Sequence, residues 1–204
     1  MANKIHVVFP RIETLHFHKC YDGGTKYIHY LAEELARKGM EVTIITTPFK
    51  KNDYKTRFHN KVRYVFLPPY FSGKIMSLNT PYKLIFSNNM KNYLKTHKFD
   101  IFHTADFFAY SYLMEKKRKP VIFQCWGLKP FYGRESTSQK GLKALYVKLF
   151  LQMPWKYCLN NADIVFADEA YQIPMIKKLG RKHNICIMQD GVNFKDIQKR
   201  KKKF

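Results

Sequence analysis

Short apolar runs alternate with stretches of helical period along the chain. Lys4–Phe9, Glu41–Thr46, Arg63–Leu67, Ile101–His103, Pro120–Cys125, Asp163–Ala167 and Asn184–Met188 are predicted strands. Between them the spacing predicts helices over Thr25–Lys38, Pro81–His97, Phe107–Lys116, Lys140–Leu159 and Glu169–Leu179. In the first helix Ile28, Leu31, Ala32, Leu35 and Ala36 fall on one stripe. Gly39 follows, where a left-handed C-cap is wanted. Pro81 suits a first turn, whereas Pro154 predicts a kink. Strands apolar on both faces, joined by helices, imply a mostly parallel sheet covered on both sides. The fold class is therefore α/β, a Rossmann-like doubly wound sheet.

In such a sheet, ligands bind beyond the carboxyl ends of the strands. The first strand ends near Phe9, and the long loop PRIETLHFHKCYDGG follows it. Gly23 and Gly24 close that loop at a helix start, where free N–H groups and the helix dipole favour an anion. The spacing is not GxGxxG, and an ordinary turn is the competing reading. Within the loop, His16, His18 and Cys20 offer part of a zinc site. No second cluster completes it, which favours an acceptor-binding loop. His103 and Asp106 are placed after the fourth strand, at the same edge. Asp106 suits either a hydroxyl of a ligand bound at this edge or the N-cap of the helix at Phe107, and Asp168 also suits an N-cap.

Charge changes the picture more than composition does. The 204 residues include 37 Lys plus Arg against 15 Asp plus Glu, a formal charge of +22. This favours anionic partners: nucleic acid, phospholipid surfaces or phosphorylated substrates. No helix-turn-helix, zinc-finger or RNP pattern accompanies it, so specific nucleic-acid binding is not expected. The four cysteines are scattered without a CxxC and read as reduced thiols. With no signal peptide or membrane-spanning run, the expected location is cytoplasmic.

Five segments, in order, resemble glycosyltransferase family 4: DGGTKYIHYLAEELARKGMEVTIITT, FDIFHTAD, KPVIFQCWG, NNADIVFADEAYQIPMIKKLG and NICIMQDGVNF. The resemblance implies the GT-B architecture of two Rossmann-like domains facing across a cleft. Residues 1–193 would be the acceptor-side domain and 194–204 a basic tail opening the interdomain linker. The nucleotide-sugar domain would lie outside this sequence, and alone the half would be inactive. The activity implied is retaining transfer of a sugar from a nucleotide sugar to an acceptor hydroxyl, without a metal or other cofactor. Gly23, Gly24 and Lys26 take the place of the loop near the donor phosphates and acceptor. Where many members have a catalytic histidine, this chain has Trp126, followed by Gly127. Tryptophan cannot transfer a proton, so no catalytic residue is assigned. Trp126 suits stacking on a sugar or lipid-linked acceptor, or the core. The alternatives are a non-catalytic subunit that borrows its donor domain from another chain, or a basic nucleic-acid-binding module.

The segment QKGLKALYVKLFLQMPWKYCL joins an apolar stripe to Lys140, Lys143, Lys148 and Lys156, with Trp155 among them. It suits a helix lying on an anionic inner membrane face, near a lipid-linked acceptor. A core helix with its lysines outward is the competing expectation.

Overall fold

The structure is a computed structural model describing residues 4–11, 23–47, 56–68, 79–126, 128, 131 and 140–188. His16, His18, Cys20, Gly127 and the 194–204 tail lie outside the described residues.

The doubly apolar runs form the strands β1 (His6–Pro10), β2 (Glu41–Thr46), β4 (Val62–Phe66), β5 (Ile101–Ala105), β6 (Val121–Cys125), β7 (Ile164–Ala167) and β8 (Ile185–Ile187). Together with β3 (Arg57–His59) they make one sheet in the order β3-β4-β2-β1-β5-β6-β7-β8. All neighbours run parallel except β3, which pairs antiparallel with β4. The strand order turns back beside β1, so the topological switch point lies between β1 and β5.

The pleat sorts side chains into two cores. Val7, Phe9, Val42, Ile44, Val62 and Tyr64 pack under α1 (Gly23–Arg37) through Ile28, Ala32 and Ala36. The opposite core is larger. There Val8, Ile45, Phe102, Phe123 and Val165 meet α2 (Asn79–Thr96), the short α3 (Tyr110–Leu113), α5 (Met153–Asn161) and α6 (Gln172–Lys178). Gly39 closes α1 as a Schellman turn. Its φ is +93°, its N–H reaches the Ala36 carbonyl at 3.1 Å, and the Met40 N–H reaches that of Leu35 at 3.1 Å.

The structure departs from the sequence pattern at four places. The strand β3 is not predicted because it is short, polar and at the sheet edge. Its signature is the two-residue turn Asn60–Lys61, both at positive φ (46° and 67°), as a type I′ hairpin requires. The predicted helix over Phe107–Lys116 is a 3-10 turn, Asp106–Ala109, followed by α3. The predicted long helix is α4 (Gly141–Val147), a π-helical turn (Lys148–Gln152) and then α5. Pro154 has no N–H, and its ring crowds the carbonyl four residues back, at Phe150. The wider turn relieves that conflict, so the expected kink takes this form. Finally, α6 starts at Gln172 with no side-chain cap. The Gln172 Oε1 instead accepts the Asp168 N–H at 3.1 Å, which corrects the expectation of a cap at Asp168.

Candidate functional site at the carboxyl edge

Every crossover helix begins where a parallel strand ends, so the carboxyl edge gathers loop residues and helix starts. Gly23 and Gly24 form the first turn of α1, two residues earlier than the apolar stripe predicts. The first turn holds no acidic side chain, and its leading N–H groups have no intrahelical acceptor. Lys26 is half-exposed on the next residues of the helix.

Around this opening, side chains from four elements converge. Arg11, one residue past β1, hangs its backbone N–H on the Ile45 carbonyl at 2.7 Å. Its guanidinium lies over the Trp126 ring, 5.7 Å from the centroid. Trp126 follows β6, and Tyr27 of α1 meets it edge-on at 5.8 Å. The Tyr27 hydroxyl points at the Met188 sulfur, 4.0 Å away, just beyond β8. Trp126 is half-buried against the α1 core, and its Nε1 is buried with no partner among the described residues. The packing reading of Trp126 therefore holds for part of the ring. One side packs, and Arg11 covers a ring face that free stacking on a sugar would need.

Next to β1, at the end of β5, Asp106 adopts a positive φ of 59°. Its carboxylate accepts the Phe107 N–H at 2.8 Å and pairs with the Lys83 ammonium. Lys83 also lies 5.4 Å from the Phe107 ring centroid and 5.7 Å from that of Phe108. Asp106 thus holds the N-terminus of the 3-10 turn and an ion pair at once.

His103 lies elsewhere than expected. It is the third residue of β5, inside the strand, buried between Phe9 (5.1 Å) and Phe166 (5.8 Å). Its Nε2 donates to Gln124 Oε1 at 3.1 Å. Burial pushes its pKa down to about 4 against the opposing Gln124 bond, so it is neutral at physiological pH. The strand runs two residues past His103, to Ala105, instead of ending there, which leaves the imidazole inside the sheet and short of the edge. Trp155 is likewise corrected as a membrane-surface candidate: it is buried against Phe123 (5.1 Å) and Phe131 (5.3 Å). Lys140, Lys143, Lys148 and Lys156 are exposed.

The sequence reading missed Arg11, Tyr27 and Lys83. Arg11 carried a signal, being the first residue past strand one. Tyr27 carried another, one turn beyond Gly23. Lys83 carried none, because only the fold sets it beside Asp106. A hollow of about 1010 Å³ also exists, lined by His6, Glu41, Asp100 and Lys119 among others. These residues open β1, β2, β5 and β6, so the hollow lies at the amino edge, away from the switch point.

Comparison with solved structures gives the same architecture. Sucrose-phosphate synthase from Thermosynechococcus elongatus superposes with a TM-score of 0.66 at 18% identity, over 94% of this chain and 49% of that one. A glycosyltransferase from Rickettsia africae matches with a TM-score of 0.53 at 13% identity, over 98% and 49%. A UDP-glucose:anthocyanidin 3-O-glucosyltransferase in complex with UDP matches with a TM-score of 0.56 at 11% identity, over 95% and 54%. The chain spans about half the length of these proteins, and the match shows a shared Rossmann-like fold. No curated protein matches the sequence. The model of Glycosyltransferase Family 4 matches residues 21–195, from the Gly23–Gly24 opening past β8, and the chain belongs to that family.

Proposed function

We propose that this chain is the acceptor-side half of a glycosyltransferase. It would serve retaining transfer of a sugar from a nucleotide sugar to an acceptor hydroxyl on a lipid-linked or membrane-associated molecule. One observation carries the reading: α1 opens on Gly23 and Gly24 at the carboxyl edge of the sheet, the edge where Arg11 follows β1 and lies over Trp126. Free N–H groups and the helix dipole there suit a diphosphate, and they act best on the charge that grows as the sugar leaves. Arg11 adds a fixed cation to the same edge. Tryptophan at 126 holds no proton to give, and His103 is buried away from the edge. The reading therefore rests on charge stabilisation and on holding the two substrates in register across a cleft. The facing wall would be a nucleotide-sugar domain, in the same polypeptide or in a separate subunit.

Gly24→Val tests this. In the enzyme assembled with its donor domain, sugar transfer should fall by at least about 100-fold, as for loss of one anion-stabilising group. Circular dichroism should show the fold intact. Undiminished transfer by Gly24→Val would sink the assignment.

A further inference from the structure

Helix α4 and the π turn after it are apolar on two sides, and the fold uses only one. Inward, Ala144, Val147 and Leu151 are half-buried, and they lead into the buried Trp155, Cys158 and Leu159 of α5. Outward, Leu142 (85% exposed), Leu145 (51%), Leu149 (43%), Phe150 (40%) and Met153 (54%) face solvent, with Tyr146 among them. Positions 142, 145, 146 and 149 follow the spacing of a single helix face, and through the widened turn Phe150 and Met153 extend the same exposed surface. The Tyr146 and Phe150 rings meet on it at 5.1 Å. Scattered exposed apolar residues need no explanation, but six together on one surface do.

Charge indicates what covers them. From Ser136 to Ala162 the sequence has no Asp or Glu, while Lys140, Lys143 and Lys148 surround the apolar face, exposed. A second copy of this +22 chain would set lysines against lysines. An anionic bilayer satisfies both features, because acyl chains take the apolar side chains and headgroups take the ammonium groups. Among the described residues, no helix is long and apolar enough to cross a membrane. The arrangement is therefore one of lying in the interface. We propose that α4 and its π turn form a docking surface for anionic phospholipid bilayers. This goes beyond sugar transfer, and its test involves none, so either reading can fail alone.

The experiment is sedimentation of the 204-residue chain with vesicles of phosphatidylcholine containing about 30% phosphatidylglycerol, and with phosphatidylcholine alone. Binding should favour the anionic vesicles and weaken as salt rises from about 50 to about 500 mM. Lys143→Gln with Lys148→Gln should weaken it by about fivefold per lysine. Leu149→Ser with Phe150→Ser keeps every charge and alters only exposed residues, so the melting curve should hold. That pair should lose at least about tenfold in partitioning. Unchanged binding by the serine pair would show adsorption by overall charge and overturn the proposal. So would failure of the wild type to bind anionic vesicles at low salt. Loss of a dimer on the same substitutions, with vesicle binding unaltered, would instead assign the face to a second copy.

Discussion

His29 and His103 are both buried imidazoles, and both stay neutral for a physical reason. His29 shares a 2.9 Å hydrogen bond between its Nδ1 and the Tyr64 hydroxyl. Burial, with Arg11 and His59 nearby, lowers its pKa to about 4, and burial does the same to His103. In the unfolded chain both titrate near the ordinary histidine value of 6.5. Between these values the unfolded state binds protons that the folded state refuses, so stability falls as pH drops from about 6.5 to about 4. Each histidine contributes at most roughly 3 kcal/mol to that loss. Urea midpoints should be flat above neutrality and fall steeply across this window. A midpoint independent of pH there would contradict buried, neutral imidazoles. The sequence showed eight histidines without marking these two, because burial on a pleated strand depends on which strands flank it. Gly23, Gly24 and Gly39 were legible, since a glycine at a helix end acts through local backbone geometry.

Among the elements, legibility tracked how local the cause is. The stripes of α1 and the apolar runs of β2 and β6 gave their elements to within a residue or two. The hairpin of β3 did not, since Arg57–His59 is too short and polar to stand out. Its Asn60–Lys61 turn carries the one strained choice, a lysine at φ 67°. A left-handed L-residue costs roughly 1–2 kcal/mol, of which glycine's larger unfolded freedom gives back about half. Lys61→Gly should therefore stabilise the protein by about 0.5–1 kcal/mol, seen as a higher urea midpoint with unchanged slope. A lower midpoint would mean that the lysine side chain contributes more than the turn geometry costs. The π turn was only half legible: Pro154 announced a disturbance, but not that it would take the form of a widened turn.

For the molecule as a whole, sequence order alone was enough for the sheet class, and five loose segments placed it in its family. What sequence left open was which side of the basic apolar helix faces in. That depended on α2 and α3 having already filled the larger core, which leaves one side of α4 outside. Net charge is a property at this scale too. A +22 chain repels itself when folded, and salt screens that repulsion. The melting temperature should rise as salt increases from about 20 to about 200 mM, opposite in sign to the expected effect on vesicle binding. A melting temperature that falls over this range would show that attractive pairs, such as Arg118–Asp163 at 2.5 Å, outweigh the excess of like charge.

The π turn at Lys148–Gln152 also sets a phase. One surplus residue in a helical turn advances everything after it by about 100° relative to what came before. On its amino side the rod addresses the exterior, and on its carboxyl side Trp155, Cys158 and Leu159 address the core. Removing a single residue there would turn the lysine-edged face toward a different compass bearing while leaving both helices intact. The direction in which this protein presents its greasy side is thus a setting held by one residue of helix length over a core already filled from beneath.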